Sequence, residues 1–105
     1  MRVDKQKLLQ ELDRIVEQLK GMGAKRLILF GSLARDTARL KSDIDIVALF
    51  DDDSNFKERT KAVYSRLDAK EGVDILAYNF EEFERMKNRP FFKHLLSYGK
   101  VIYES

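Results

Sequence analysis

Asp43, Asp45 and Asp74, together with the pair Gly31-Ser32, are the residues of this chain whose types and spacing could do chemistry. Gly31-Ser32 follows the apolar run Leu27-Ile28-Leu29-Phe30, which reads as a buried strand ending in a tight turn into a helix. A helix that starts there aims free N–H groups and the positive end of its dipole at one point, a ready site for an anion. Glycine lets a phosphate approach the backbone, Ser32 can donate its hydroxyl, and Arg35, about one helical turn later, can add charge to the same group. After a gap of ten residues, Asp43 and Asp45 stand two apart in a strand, so both project from one face and can share a hard cation. Asp74 interrupts a later apolar run, Val73 to Ala77. If the two strands are neighbours, the three carboxylates cluster, and their mutual repulsion calls for Mg²⁺ among them. Carboxylates beside a phosphate site imply a metal–nucleotide complex. Two ions about 3.5–4 Å apart would serve an in-line displacement at phosphorus.

Other chemistries are excluded by composition and by strict reading of motifs. With no cysteine and one histidine, a thiolate or imidazole zinc site is not supported, and any metal would be held by carboxylates. There is no G-x-x-x-x-G-K-[ST], and Gly21-Met22-Gly23 lacks the third glycine and the preceding strand of a dinucleotide fingerprint. Asp51, Asp53 and Asn55 imitate the start of a calcium loop, but Phe56 stands at its sixth position and Ala62 at its twelfth, so the stretch reads as a helix cap. The net charge of +2, from 20 basic and 18 acidic residues, is too balanced to argue for nucleic acid as a partner, and none is expected. No bilayer-spanning run or signal-peptide pattern is present, and the expectation is a cytoplasmic protein without a membrane partner.

The elements that must position the candidate site follow from periodicity. Leu8, Leu9, Leu12, Ile15, Val16 and Leu19 recur at helical spacing between Asp4, a candidate N-cap, and Gly21. Residues 43 to 50 alternate as a strand, with Asp43, Asp45, Val47 and Leu49 on one face and Ile44, Ile46, Ala48 and Phe50 on the other. Residues 51 to 55 can turn the chain and cap a helix whose buried stripe would be Phe56, Thr60, Val63, Tyr64 and Leu67. A third strand spans Val73 to Tyr78. Asn79 with Glu82 resembles a capping box for a short helix carrying Phe80, Phe83 and Met86, and Pro90 suits the first turn of another through Leu96. His94, Tyr64, Phe91 and Phe92 read as core or helix-face residues, and Val101 to Tyr103 as a last edge strand. The pattern predicts an α/β (α+β) fold, one domain over residues 1–105 with a small mixed β-sheet flanked by helices.

The spacing of Gly31, Ser32, Asp43 and Asp45 resembles the minimal nucleotidyltransferases of the DNA polymerase β-like superfamily, and the likeness extends through SDIDI, the aspartate of VDIL and the closing GKVIYE. One departure is Asp36, where such proteins commonly have glycine after the arginine; it adds a negative charge near the triphosphate. The resemblance implies a nucleotidyltransferase fold, Mg²⁺ held by Asp43, Asp45 and Asp74, and ATP held over Gly31 and Ser32 with Arg35. Larger relatives carry further domains that bind the acceptor, and the expectation is that here the acceptor comes from another macromolecule or binds at a very open surface. Members of this small size resemble the antitoxins of toxin–antitoxin pairs whose toxins are HEPN-domain ribonucleases. That resemblance implies transfer of AMP to a tyrosine hydroxyl of the toxin. The alternatives are a non-catalytic binding module and a small-molecule or nucleic-acid acceptor; a homo-oligomer is left open.

Overall fold

The computed structural model describes residues 5–30, 44–68 and 72–105. Its elements are α1 (Lys5–Gly21), β1 (Ala24–Phe30), β2 (Ile44–Phe50), α2 (Phe56–Arg66), β3 (Val73–Asn79), α3 (Phe80–Met86), α4 (Pro90–Leu96) and β4 (Lys100–Glu104). The sheet order is β3-β2-β1-β4; β1 runs antiparallel to both β2 and β4, whereas β2 and β3 are parallel. This is the mixed sheet flanked by helices that the sequence pattern predicts.

Alternation along the central strands sorts their side chains into two layers. Leu27, Leu29, Ile44, Ile46, Ala48 and Phe50 join Leu12, Ile15 and Leu19 of α1 and Val63 of α2 in one core. Ile28, Phe30, Val47 and Leu49 join Tyr78, Phe83 of α3 and Phe92 of α4 in the other. Leu27 to Phe30 is continuously apolar because β1 is central and covered on both faces. Leu9 departs from the expected α1 stripe and is 43% exposed, since the face toward the sheet is carried by Leu12, Ile15 and Leu19.

The buried stripe expected on α2 needs correction. Phe56 and Tyr64 are 38% and 43% exposed, while Arg59 is 3% exposed beside Val63. The helix lies along the margin of β3, so its aromatic residues reach over the sheet edge: Phe56 stacks on Tyr78 at 5.0 Å between ring centroids, and the Tyr64 hydroxyl meets the Ile75 backbone. His94 is exposed and meets the Tyr98 ring edge-on, while Phe92 is core.

Arg59 is tolerated inside because its donors are engaged. Nε donates to Asp52 Oδ1 at 3.0 Å, Nη1 to the Ala77 carbonyl at 3.0 Å and to Glu82 Oε1 at 2.6 Å, and Nη2 to the Ser54 carbonyl. Glu82 is the same residue that closes the α3 capping box: its carboxylate accepts the Asn79 N–H, and the Asn79 side chain accepts the Glu82 N–H, both at 2.8 Å. One guanidinium therefore ties α2, β3, α3 and the turn after β2. Losing one partner of a buried ion pair costs about 3–5 kcal/mol. Arg59→Ala is expected to lower stability by an amount of that order, measured by urea unfolding, and to cost more than Arg85→Ala, whose pair with Glu81 is exposed.

Burial alone would raise the Asp52 carboxyl, but hydrogen bonds from Arg59 and Ser54 and the Arg59 charge outweigh it and hold its pKa below the ordinary value. A group depressed in the folded state contributes stability above its unfolded pKa and loses that contribution as pH falls through the folded one. The wild type is therefore expected to lose stability below about pH 4 more steeply than Asp52→Asn. Equilibrium unfolding between neutral and strongly acidic pH checks the slope.

Candidate active site

Two of the three predicted carboxylates come together on one rung of the sheet. In the parallel ladder Asp45 is the Cα partner of Asp74, between the apolar rungs Ile44↔Val73 and Ile46↔Ile75. Partners on neighbouring strands lie about 4.8 Å apart in the pairing direction and share a face, so both side chains project into the same layer as Val47, Leu49 and Tyr78. They stand near the N-terminal ends of β2 and β3, beyond the apolar residues of that layer. Asp45 is half-buried, and Asp74, on the terminal strand, is exposed.

The third strand end arrives from the opposite direction. Phe30, the last described residue before Gly31, is the Cα partner of Asp45 across the antiparallel β1–β2 ladder. The C-terminal end of β1 and the N-terminal ends of β2 and β3 thus meet at one edge. Gly31, Ser32, Arg35 and Asp43 lie outside the described residues, as does Asp36.

Backbone geometry holds the carboxylate rung in register. The Ile44 N–H donates to the Gly72 carbonyl at 3.0 Å, which joins the first residue of β2 to the turn that launches β3. Gly72 has φ +88°, a conformation that an L side chain adopts only with strain. A left-handed backbone costs a residue with a Cβ about 1–2 kcal/mol. Gly72→Ala is expected to lose stability by that amount and to shift the Asp74 amide resonance, observed by ¹H–¹⁵N correlation spectra.

The donor set suits a hard cation. Two carboxylates in register offer oxygen ligands of the type that Mg²⁺ takes, with no soft ligand beside them. Among the described residues no group of three His, Cys, Asp or Glu side chains forms a metal cluster; the third ligand expected from the sequence, Asp43, lies outside them. Tyr64 and Arg59, whose side chains meet the outer edge of β3 at Ile75 and Ala77, were not legible as neighbours of the site. Helical periodicity assigns Tyr64 to a buried stripe and is silent on Arg59, because a side chain that reaches backbone polar groups leaves no hydropathy signal.

The nucleotidyltransferase domain family matches residues 9–101, a span that runs from α1 to β4 and contains both carboxylates. The chain belongs to that family. No curated protein matches its sequence significantly. Among solved structures, a Sulfolobus solfataricus protein provisionally assigned as a nucleotidyltransferase aligns with a TM-score of 0.67 at 22% identity, covering 95% of this chain and 83% of that one. At that identity the likeness is one of fold.

Proposed function

We propose that this chain transfers AMP from ATP to a protein hydroxyl, the tyrosine of a cognate HEPN-domain toxin, and thereby acts as an antitoxin of the minimal nucleotidyltransferase type. The observation that carries the reading is the register pairing of Asp45 with Asp74 in a chain of the nucleotidyltransferase domain family. Asp43, Asp45 and Asp74 would hold Mg²⁺, two ions in the full site, and Gly31, Ser32 and Arg35 would cradle the triphosphate of ATP. Bound Mg²⁺ supplies neutralisation of phosphate charge and acidification of an oxygen nucleophile. Asp45, half-buried between apolar rungs, is a fixed ligand on the nucleotide side. Asp74 stands exposed on the terminal strand, where a hydroxyl carried by another protein can reach it.

In the proposed reaction Asp74 orients the acceptor hydroxyl and takes its proton while the oxygen bonds to the α-phosphorus. The bond from that phosphorus to the oxygen bridging to the β-phosphate breaks, and pyrophosphate leaves. Phosphoryl chemistry is largely positioning and charge stabilisation, so a docked surface that delivers the hydroxyl in line suffices. The exposure of Asp74 favours a macromolecular acceptor over one that must be enclosed.

The carboxylates separate in their expected effects. Removing a general base typically slows reaction by about 10²–10⁴-fold. Asp74→Asn is expected to slow transfer by an amount in that range while Mg²⁺–ATP binding persists, whereas Asp45→Asn weakens binding and transfer together. A ligand at about 100 times its Kd stabilises a fold by about 2.7 kcal/mol, so Mg²⁺ with ATP should raise the melting temperature of the wild type and not of Asp45→Asn. Intact-mass spectrometry of a co-encoded HEPN-type partner, with α-labelled and γ-labelled ATP in parallel, tests the transfer. Incorporation of the α-label with a mass gain of whole AMP units is expected. Incorporation of the γ-label would indicate a kinase, and neutralisation of the partner without mass change would leave a non-catalytic binding module.

A further inference from the structure

Among the described residues, the terminal position of β3 leaves one side of its backbone without a strand partner, and this is the strand that carries Asp74. An open edge with unpaired N–H and C=O groups invites fraying and pairing with other chains. Here α2 occupies it. The Ile75 N–H donates to Tyr64 Oη at 2.7 Å, and the same hydroxyl donates to the Ile75 carbonyl over a longer 3.4 Å. Two residues along, where the backbone again faces outward, the Ala77 carbonyl accepts from Arg59 Nη1 at 3.0 Å. Tyr64 and Arg59 thus take the places that a fifth strand would take.

Arg59 is buried and engaged with four acceptors, and its site lies three residues from Asp74. Tyr64 differs on both counts. It is 43% exposed, and its hydroxyl bonds the residue that directly follows Asp74. A peptide plane links the Asp74 carbonyl to the Ile75 N–H, so the Tyr64 bond fixes the orientation of the plane from which the Asp74 side chain departs. On the inner side that plane is held by the ladder to β2.

We propose that Tyr64 is a positioning residue for Asp74: through its hydroxyl it clamps the outer edge of β3 and holds the Asp74 carboxylate opposite Asp45 in the geometry that metal and acceptor require. This rests on the reading of Asp45 and Asp74 as metal ligands. It also means that β3 does not recruit a protein partner by strand addition, because Tyr64 and Arg59 already fill its edge at Ile75 and Ala77.

The test uses Tyr64→Phe, which keeps the ring and removes the oxygen, with Ser65→Ala as a control for loss of a hydroxyl at the next residue of α2, whose own bond is to the Ala62 carbonyl. Native-state hydrogen exchange reads the clamp. One net hydrogen bond corresponds to about five- to tenfold in an equilibrium, so the Ile75 amide should exchange faster by about that factor in Tyr64→Phe, with Ile46 unchanged. Paramagnetic broadening by Mn²⁺ alone reads the positioning. In the wild type the Asp45 and Asp74 amides should broaden together; in Tyr64→Phe broadening at Asp74 should fall relative to Asp45, and Ser65→Ala should match the wild type. A uniform loss of protection, at Ile46 as much as at Ile75, would make Tyr64 a general stability residue and overturn the proposal. Unchanged Ile75 exchange would overturn the clamp. Faster Ile75 exchange with an unchanged Asp74-to-Asp45 ratio would overturn the positioning role and leave only an edge seal. Absence of Mn²⁺ broadening at both aspartates in the wild type would overturn the metal-site reading and the positioning role with it, while the exchange result would still decide whether the clamp exists.

Discussion

The parallel pairing of β2 with β3 is the constraint on which the rest depends. Seven consecutive rungs join Ile44–Phe50 to Val73–Asn79, and on both strands the apolar pattern is broken by an aspartate at the same rung. The flanking rungs are locked by burial: Ile44, Ile46 and Ile75 sit in the core against α1 and α2. A slip of one residue would carry Asp74 to the opposite face and send Ile75 out of that core, so hydrophobic register and carboxylate placement are one decision. Like charges directly opposite on neighbouring strands are destabilising by a few tenths of a kcal/mol to about 1 kcal/mol. The proposed metal site is what would offset that repulsion.

The two ends of β3 are handled by different chemistry, and α2 supplies both. Near Asp74 a single phenolic hydroxyl meets the outward-facing backbone of Ile75, while at the far end the buried guanidinium of Arg59 gathers Asp52, Glu82 and two carbonyls. A buried charge is costly unless every donor finds a partner, and the fork geometry of arginine allows one residue to serve several elements at once. The buried guanidinium thus lies three residues from Asp74, whose own end of the strand is exposed. Burial, with the nearby charge of Glu82, pushes the Tyr78 phenol above its usual value.

Much of the fold was legible because its signals are local. The LILF run, the alternation through residues 44 to 50, the Asn79–Glu82 capping box and Pro90 at the start of α4 each act within a few residues, and the structure carries all of them. The stripe on α2 was not legible in the same way. Phe56 and Tyr64 satisfy a helical hydrophobic period yet lie over a sheet margin, while Arg59 violates that period and is buried. Periodicity reports which residues could face a core; it does not report that the nearest surface is an edge of backbone N–H and C=O groups, which selects for donors and hydroxyls instead of methyl groups.

What the sequence by itself determined is the chemistry available: hard oxygen ligands without soft ones, a glycine-serine pair after an apolar run, and aspartates whose parity assigns each to a face of its strand. What only the tertiary structure decided is that β2 and β3 are parallel neighbours with Asp45 opposite Asp74, that Phe30 ends beside them, and that Arg59 and Tyr64 complete the outer edge of β3. The physical reason is that face and period are properties of one segment, set by backbone geometry. Neighbour, direction and register are differences in free energy between pairings of segments some 30 residues apart, and they are settled when both sheet faces are buried at once.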